Sequence, residues 1–241
     1  SQDAGPRHQL TAPMKKGPAG RPLCSIVSRL HQTLLGLLND ITDLVICDLE
    51  RELPRLDARF GAGVRYSVNI TPNQAANMQF MQRLVEQLRN TGRPESFMLE
   101  LTEESLAVTG PFQSHVLPLL RDAGIGLSID DFGTGYSSLA TIADLTVDEL
   151  KIDRSLISSI HNRPRSQSIL RAIESMGTAL GISVVAEGIE TMEENLYLMA
   201  QTGLRIGQGY LFHKPQLLTA LLQETPATPR PGHDRNNREP A

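Results

Sequence analysis

Two aspartates stand side by side in "SIDDFGTGYSSL", residues 128–139, where the apolar run 125–129 stops and a glycine-punctuated turn begins. Adjacent like charges repel, and a cation shared between Asp130 and Asp131 is the plainest way to hold both. Other polar residues recur at comparable places: Asn69 in "VRYSVNI", Glu100 in "FMLELT", Lys151 in "ELKID", Glu187 in "ISVVAEG" and Gln208 in "GQGYLF". Each run is short, β-rich and followed by a turn. Four carboxylates and an amide gathered in one cavity suit hard divalent cations such as Mg²⁺, Mn²⁺ or Ca²⁺, and not thiolate-seeking metals. Neighbouring carboxylates can bridge or flank a pair of such ions about 3.5–4 Å apart.

The six runs, at 64–70, 97–102, 125–130, 149–153, 182–188 and 207–212, must bring these residues together. Between them lie helical patterns. Phe80, Leu84 and Leu88 recur at four-residue spacing, and Ile169, Ile173, Met176 and Leu180 share one helical face. Gly92, Gly124, Gly181 and Gly203 stand where those helices should stop. Pro118 should kink or shorten the run 115–121. Strand followed by helix, repeated about six times, predicts a parallel sheet of the (β/α) barrel type. In such sheets the carboxyl ends of the strands lie on one side, so residues distant in sequence converge there. Ahead of residue 64, "TDLVICDLERELPRL" (42–56) reads as a helix, and the best candidate strand before it is the weak "LCSIV" (23–27).

Individual positions carry rival readings. Strand alternation puts Glu100 and Thr102 on one face, while Glu103 reads as a first-turn helix acid favoured by the macrodipole. Asn69 could be a turn former, although Pro72 and Asn73 already supply a turn. Lys151, taken alone, is as readily a structural lysine paired with a neighbouring acid. Gly188 beside Glu187 permits close approach of backbone or ligand. Gly133 and Gly135 allow a tight turn that leaves Thr134, Tyr136 and Ser137 on a loop able to gate the site or couple it to a partner. His161 and His213 lack partners at metal spacing and read as surface residues.

The 241 residues are enough for one substantial core. The expected organisation is a tail at 1–22, a barrel domain at 23–224 and a second tail at 225–241, both tails disordered by composition. A formal charge of -4 supplies no global field for a phosphate-bearing ligand, and 4% aromatics without tryptophan offer no stacking platform, so DNA is not an expected partner. Cys24 and Cys47 form no disulfide framework, which favours the cytoplasm. The apolar stretch 30–47 contains Asn39, Asp40 and Asp43 and is too polar to span a membrane.

In "SVN", "LELTE", "DDFGTGYSSL", "LKIDRS", "VVAEGIET" and "GQGYLF", the chain resembles the EAL-domain family, cyclic di-GMP phosphodiesterases of second-messenger signalling built on a modified (β/α)8 TIM-type barrel. The resemblance implies that Asn69, Glu100, Asp130 and Asp131 bind a pair of Mg²⁺ or Mn²⁺ ions, with Ca²⁺ an inhibitory substitute. Glu187 would join them directly or through water. It further implies that Lys151 and Gln208 position or activate the attacking water, that Glu190 braces the "DFGTGYSS" loop, and that Arg154 lies near the nucleotide. The implied reaction is two-metal hydrolysis of cyclic di-GMP to linear pGpG. A homodimer and an upstream sensor or diguanylate cyclase module are the implied partners. One departure stands out: no Glu-Ala-Leu triplet occurs in the chain, so the barrel is expected to be incomplete at its first two strands, with an exposed sheet edge. That loss keeps a second reading open, a cyclic di-GMP-binding or protein-interaction module without hydrolysis.

Overall fold

A computed structural model describes residues 23–61, 63–103, 105, 110, 112–134, 142 and 145–223, with side chains from Gly36 onward. The two expected tails and the loop residues Gly135, Tyr136 and Ser137 lie outside the described residues. The chain divides into two compact units, 1–47 and 48–241. Helix α1, Leu23–Phe60, runs through the boundary. Its first turns include the run 23–27, so the weak strand expected there is helix. A short apolar run is ambiguous by itself, and no turn residue separates this one from the leucine-rich helix that follows.

The second unit is built on six strands: β1 Tyr66–Asn69, β2 Phe97–Thr102, β3 Gly126–Phe132, β4 Glu149–Ile152, β5 Ser183–Ala186 and β6 Ile206–Gly207. Their spatial order follows the chain, and every neighbouring pair is parallel. The result is a half-barrel, an incomplete TIM-type barrel whose β1 and β6 edges are unpaired among the described residues.

Helices cover its outer face for reasons visible in their sequences. α2, Pro72–Ala75, opens on a capping box made by Thr71 and Gln74. α3, Met78–Asn90, starts at Asn77, whose Oδ1 accepts from Phe80 N at 3.1 Å, and buries Phe80, Met81, Leu84, Val85 and Leu88. A π-helical turn at Phe112–Val116 leads directly into α4, Leu117–Ala123, so the helical run continues through Pro118 with the wider turn just ahead of it. α5, Arg154–Ile157, is a single turn capped by Asp153.

In α6, Pro164–Leu180, the buried face is Ser166, Leu170, Ile173 and Gly177, so the expected face is corrected: Ile169 and Leu180 are exposed. The reason is Gly177, where an added Cβ would overlap the Val184 side chain. Its bare backbone lets the helix approach β5 closely, which turns Ile169 and Leu180 outward. α7, Met192–Gln201, has a capping box of Thr191 and Glu194, and α8, Leu218–Gln223, follows β6. The last strand is also shorter than expected. After Gly207 the chain turns, because Gln208 and Leu211 both bond the backbone of Ile189 while Phe212 N bonds Gly209 O.

Period-two alternation and parallel register divide the sheet into two unlike faces. Outward lie Val68, Leu99, Leu101, Leu127, Ile129, Leu150 and Ile152, all buried. Inward lie Ser67, Asn69, Glu100, Ser128, Asp130, Glu149 and Lys151. The register keeps these in step: Asn69 stands opposite Glu100, Thr102 opposite Asp130, and Ser128 opposite Glu149.

Candidate functional site

The inward face is unusual in holding a buried charge network. Lys151, its side chain only 8% exposed, points its Nζ at Glu187 Oε1 at 2.6 Å, Glu100 Oε1 at 3.0 Å and Asp130 Oδ1 at 3.5 Å. Burial works against the ammonium, but the Glu187 hydrogen bond and the Glu100 and Glu187 charges outweigh it and raise the lysine pKa. The lysine is therefore a fixed cation. Burial raises the Glu187 pKa, with Lys151 opposing and Asp130 adding to the rise. Deeper on the same face Glu149 is raised, again chiefly by burial, while Ser128 Oγ donates to its Oε1 at 3.2 Å.

Simple alternation would send Asp130 and Asp131 to opposite faces. The structure avoids this with a shift of the β3–β4 register between Ile129 and Phe132, and with Asp131 in the left-handed region at φ 55°. Aspartate tolerates that region better than most side chains. Asp131 N donates to Asp130 Oδ1 at 3.0 Å, so the pair is also stitched by its own backbone. As a result, oxygens of Asp130, Asp131 and Glu187 all lie within 4.8 Å of one another. Burial and the neighbouring Asp130 raise the Asp131 pKa, as expected of clustered like charges. The donor set is all carboxylate, the chemistry of a hard divalent cation site, and it fits Mg²⁺ or Mn²⁺.

Two clefts open beside the network. One, of about 300 Å³, is lined by Ser67, Asn69, Glu100, Glu149, Lys151 and Gln208. The other, about 410 Å³, shares Gln208 with it and adds Glu187, Arg154, Glu190, Tyr210, His213 and Lys214. Asn69, Glu100, Asp130, Asp131, Lys151, Glu187 and Gln208 thus sit along one rim of the sheet. Arg154 Nη2 pairs with Glu190 Oε2 at 2.8 Å beside them. The close approach at Gly188 is made by Arg154, whose side chain an added Cβ would overlap.

Glu103 stands in a 3-10 helical turn directly after β2, as expected, but it is also buried, and its Oε2 accepts from Gly133 N at 3.0 Å, fastening the turn that follows the two aspartates. Its signal was parity, since it continues the buried series Phe97, Leu99 and Leu101. Tyr210 and Lys214 escaped the sequence reading, while His213, read as a surface residue, is exposed and lines the second cleft. Lys214 lies 5.9 Å over the Tyr210 ring, and the only cue was their place directly after Gln208.

Residues 19–215 match the family described as EAL domain. The cyclic di-GMP phosphodiesterase NbdA of Pseudomonas aeruginosa is 36% identical over 187 residues, covering 77% of this chain and 24% of that protein. The chain therefore spans about a quarter of that relative's length. Among solved structures, the EAL enzyme Bd1971 in its cAMP- and cyclic-di-GMP-bound form superposes with a TM-score of 0.73 at 29% identity, covering 87% of this chain and 57% of that one. BlrP1 of Klebsiella pneumoniae, in a manganese and cyclic di-GMP complex, gives a TM-score of 0.61 at 30% identity over 71% of this chain and 44% of that one.

Proposed function

Because the chain belongs to the EAL domain family, we propose that its rim is the active site of a cyclic di-GMP phosphodiesterase, opening one phosphodiester to give linear pGpG. The observation that carries this reading is the meeting of Asp130, Asp131 and Glu187 oxygens within 4.8 Å beside a buried lysine. Asp130, Asp131 and Glu187, with Asn69 and Glu100 along the same rim, would hold divalent cations. When bound, such ions lower the pKa of water, offset phosphate charge and stabilise the transition state.

The remaining work falls to the chain's own groups. Lys151, kept protonated by its carboxylates, holds Glu100, Asp130 and Glu187 in one arrangement and presents a fixed positive charge toward a phosphate. Gln208 lies between the two clefts and has a side-chain amide with which to orient water or a phosphate oxygen. Arg154 and Lys214 supply the local positive charge that a chain of net charge -4 lacks overall, and the Tyr210 ring offers a face for a base.

A second reading is favoured by one observation. The half-barrel has six strands among the described residues, and the chain has no Glu-Ala-Leu triplet, so the glutamate that the family resemblance would place on an early strand is not supplied by that motif. On that reading the rim binds the dinucleotide without cleaving it. Incubation of the purified chain with cyclic di-GMP and Mn²⁺ separates the two, with product followed by chromatography and binding by calorimetry. Linear product that disappears in Asp131→Asn supports the phosphodiesterase; saturable binding without product supports the second reading, and neither refutes both.

A further inference from the structure

Helix α1 carries an apolar stripe that the fold leaves uncovered. Leu37, Leu38, Ile41, Leu44 and Val45 are exposed, Leu44 by 67% and Leu37 by 54%. At about 100° per residue these five side chains occupy an arc of roughly 120°. Thr42 and Ile46, turned away from that arc, are buried. Five large exposed apolar side chains on one helical face mark an interaction surface rather than scattered surface residues.

The sequence says what fits there. Leu23, Val27, Leu30, Leu34, Leu37, Ile41 and Leu44 are spaced alternately by four and three residues, an unbroken seven-residue repeat along α1. In heptad terms Val27, Leu34 and Ile41 take the a positions, and Leu23, Leu30, Leu37 and Leu44 take the d positions. Two of the three a positions, Val27 and Ile41, are β-branched and every d position is leucine, a pattern that favours a parallel two-stranded coiled coil. Leu38 and Val45 fall at e and widen the seam. The repeat ends where charge takes over, since the next a and d positions are Asp48 and Arg51, paired with each other at 2.8 Å. Two copies of Asp48 facing across a parallel seam would repel. The end of the repeat coincides with the boundary between the two compact units at 47 and 48.

We infer that residues 23–47 of α1 form a parallel coiled coil with the same residues of a second copy of this chain. The area is sufficient. Burying one Leu, Ile or Val removes about 60–120 Å² from water by transfer energetics. Seven seam residues per copy then remove about 800–1,700 Å² in total, around the roughly 1,000 Å² that a specific interface needs. This inference stands apart from the active-site reading and does not depend on catalysis.

The test is the mass in solution of the full chain by light scattering, for the natural sequence and for Leu37→Lys with Ile41→Lys. The expected result is a dimer that the double substitution converts to a monomer, with thermal unfolding of the sheet-bearing unit unchanged. Orientation is read separately, in a Cys24→Ser, Cys47→Ser background carrying Leu44→Cys. In a parallel seam position 44 faces itself, so mild oxidation should join most of the chains covalently. A monomeric natural chain, a dimer indifferent to the double substitution, a higher oligomer, or absence of the crosslink would each overturn the inference.

Discussion

Leu150 and Lys151 are neighbours in the chain and opposites in the fold. Leu150 lies on the outer face of β4, fully buried, and Lys151 on the inner face, buried among carboxylates. The outer face is dry, apolar and covered by helices. The inner face gathers Asn69, Glu100, Asp130, Glu149 and Lys151 and lies along the clefts. One face thus supplies hydrophobic stabilisation, while the other spends part of it on holding like charges close. Both contributions are large, yet they should answer differently to pH.

The largest effect expected is from Lys151→Met. Removing the ammonium leaves Glu100, Asp130 and Glu187 without their shared cation, and loss of one partner from a buried ionic cluster costs about 3–5 kcal/mol. The stabilisation by Lys151 is fully present below the ordinary lysine value of 10.5 and is lost only as pH rises through the raised one. At neutral pH the whole effect is therefore exposed. Acid should restore part of it, because Glu187, whose pKa burial raises, no longer needs the lysine once it takes up a proton. Denaturant unfolding at pH 7 and pH 4 measures this, and an equal loss at both values would break the account of the inner face.

Leu150→Ala is the counterpart on the outer face. A fully buried leucine replaced by alanine costs about 3 kcal/mol through lost transfer energy and the cavity left behind. No titrating group takes part, so the loss should be the same at pH 4 and pH 7. Mn²⁺ binding by the folded fraction should be unchanged, which calorimetry below the unfolding transition can establish. A strong pH dependence here would mean that the two faces are not independent.

Much of this division could be read from the sequence, and the exceptions have physical causes. β1 to β5 were legible as short apolar runs ending in turns, and the parallel order placed their carboxyl ends together. Convergence of Asn69, Glu100, Asp130, Lys151 and Glu187 follows from that order alone. The means by which Asp130 and Asp131 share a side was not legible, because it rests on one backbone angle and a register shift. Nor was the burial of Glu103, whose acidic type suits the helical turn it stands in while its parity carries it to the packed outer side. The 23–27 run was assigned to a strand because a five-residue apolar stretch has too few positions to separate a period of two from one of 3.6. For α6, the glycine at 177 decided the buried face, and a hydrophobic pattern weighs a glycine as nothing.

A smaller effect is expected at Asp131 itself, where function and backbone comfort oppose each other. At φ 55° a non-glycine residue is strained, and Asp131→Gly should relieve up to about 1 kcal/mol. Asp131→Asn keeps the side chain and relieves no strain. Both variants remove one carboxylate from the trio with Asp130 and Glu187, so both should lose Mn²⁺ affinity. Stability that separates the two variants while metal affinity does not would show that the left-handed turn serves to present the carboxylate. If Asp131→Gly were less stable than Asp131→Asn, the strain at this position would not be what the carboxylate site has to overcome.

The smallest expected effect is the pH dependence that Asp131 contributes without metal. Its pKa is raised by burial and by Asp130, so the folded chain keeps this proton at pH values where the unfolded chain has released it. Stability from this group must then fall as pH rises from the ordinary value of 3.8 through the raised one, and level off above it. Glu187 is raised in the same direction and lies within 4.8 Å of Asp131, so loss of the Asp131 charge eases its ionisation too and adds to the difference with the same sign. The difference between those two proteins, measured by denaturant unfolding at closely spaced pH values, should therefore shift in favour of Asp131→Asn as pH rises. Saturating Mn²⁺ should reverse the trend, because the cation favours the ionised carboxylate that the metal-free site disfavours. A difference independent of pH, or unaffected by Mn²⁺, would separate Asp131 from the charge cluster of the inner face.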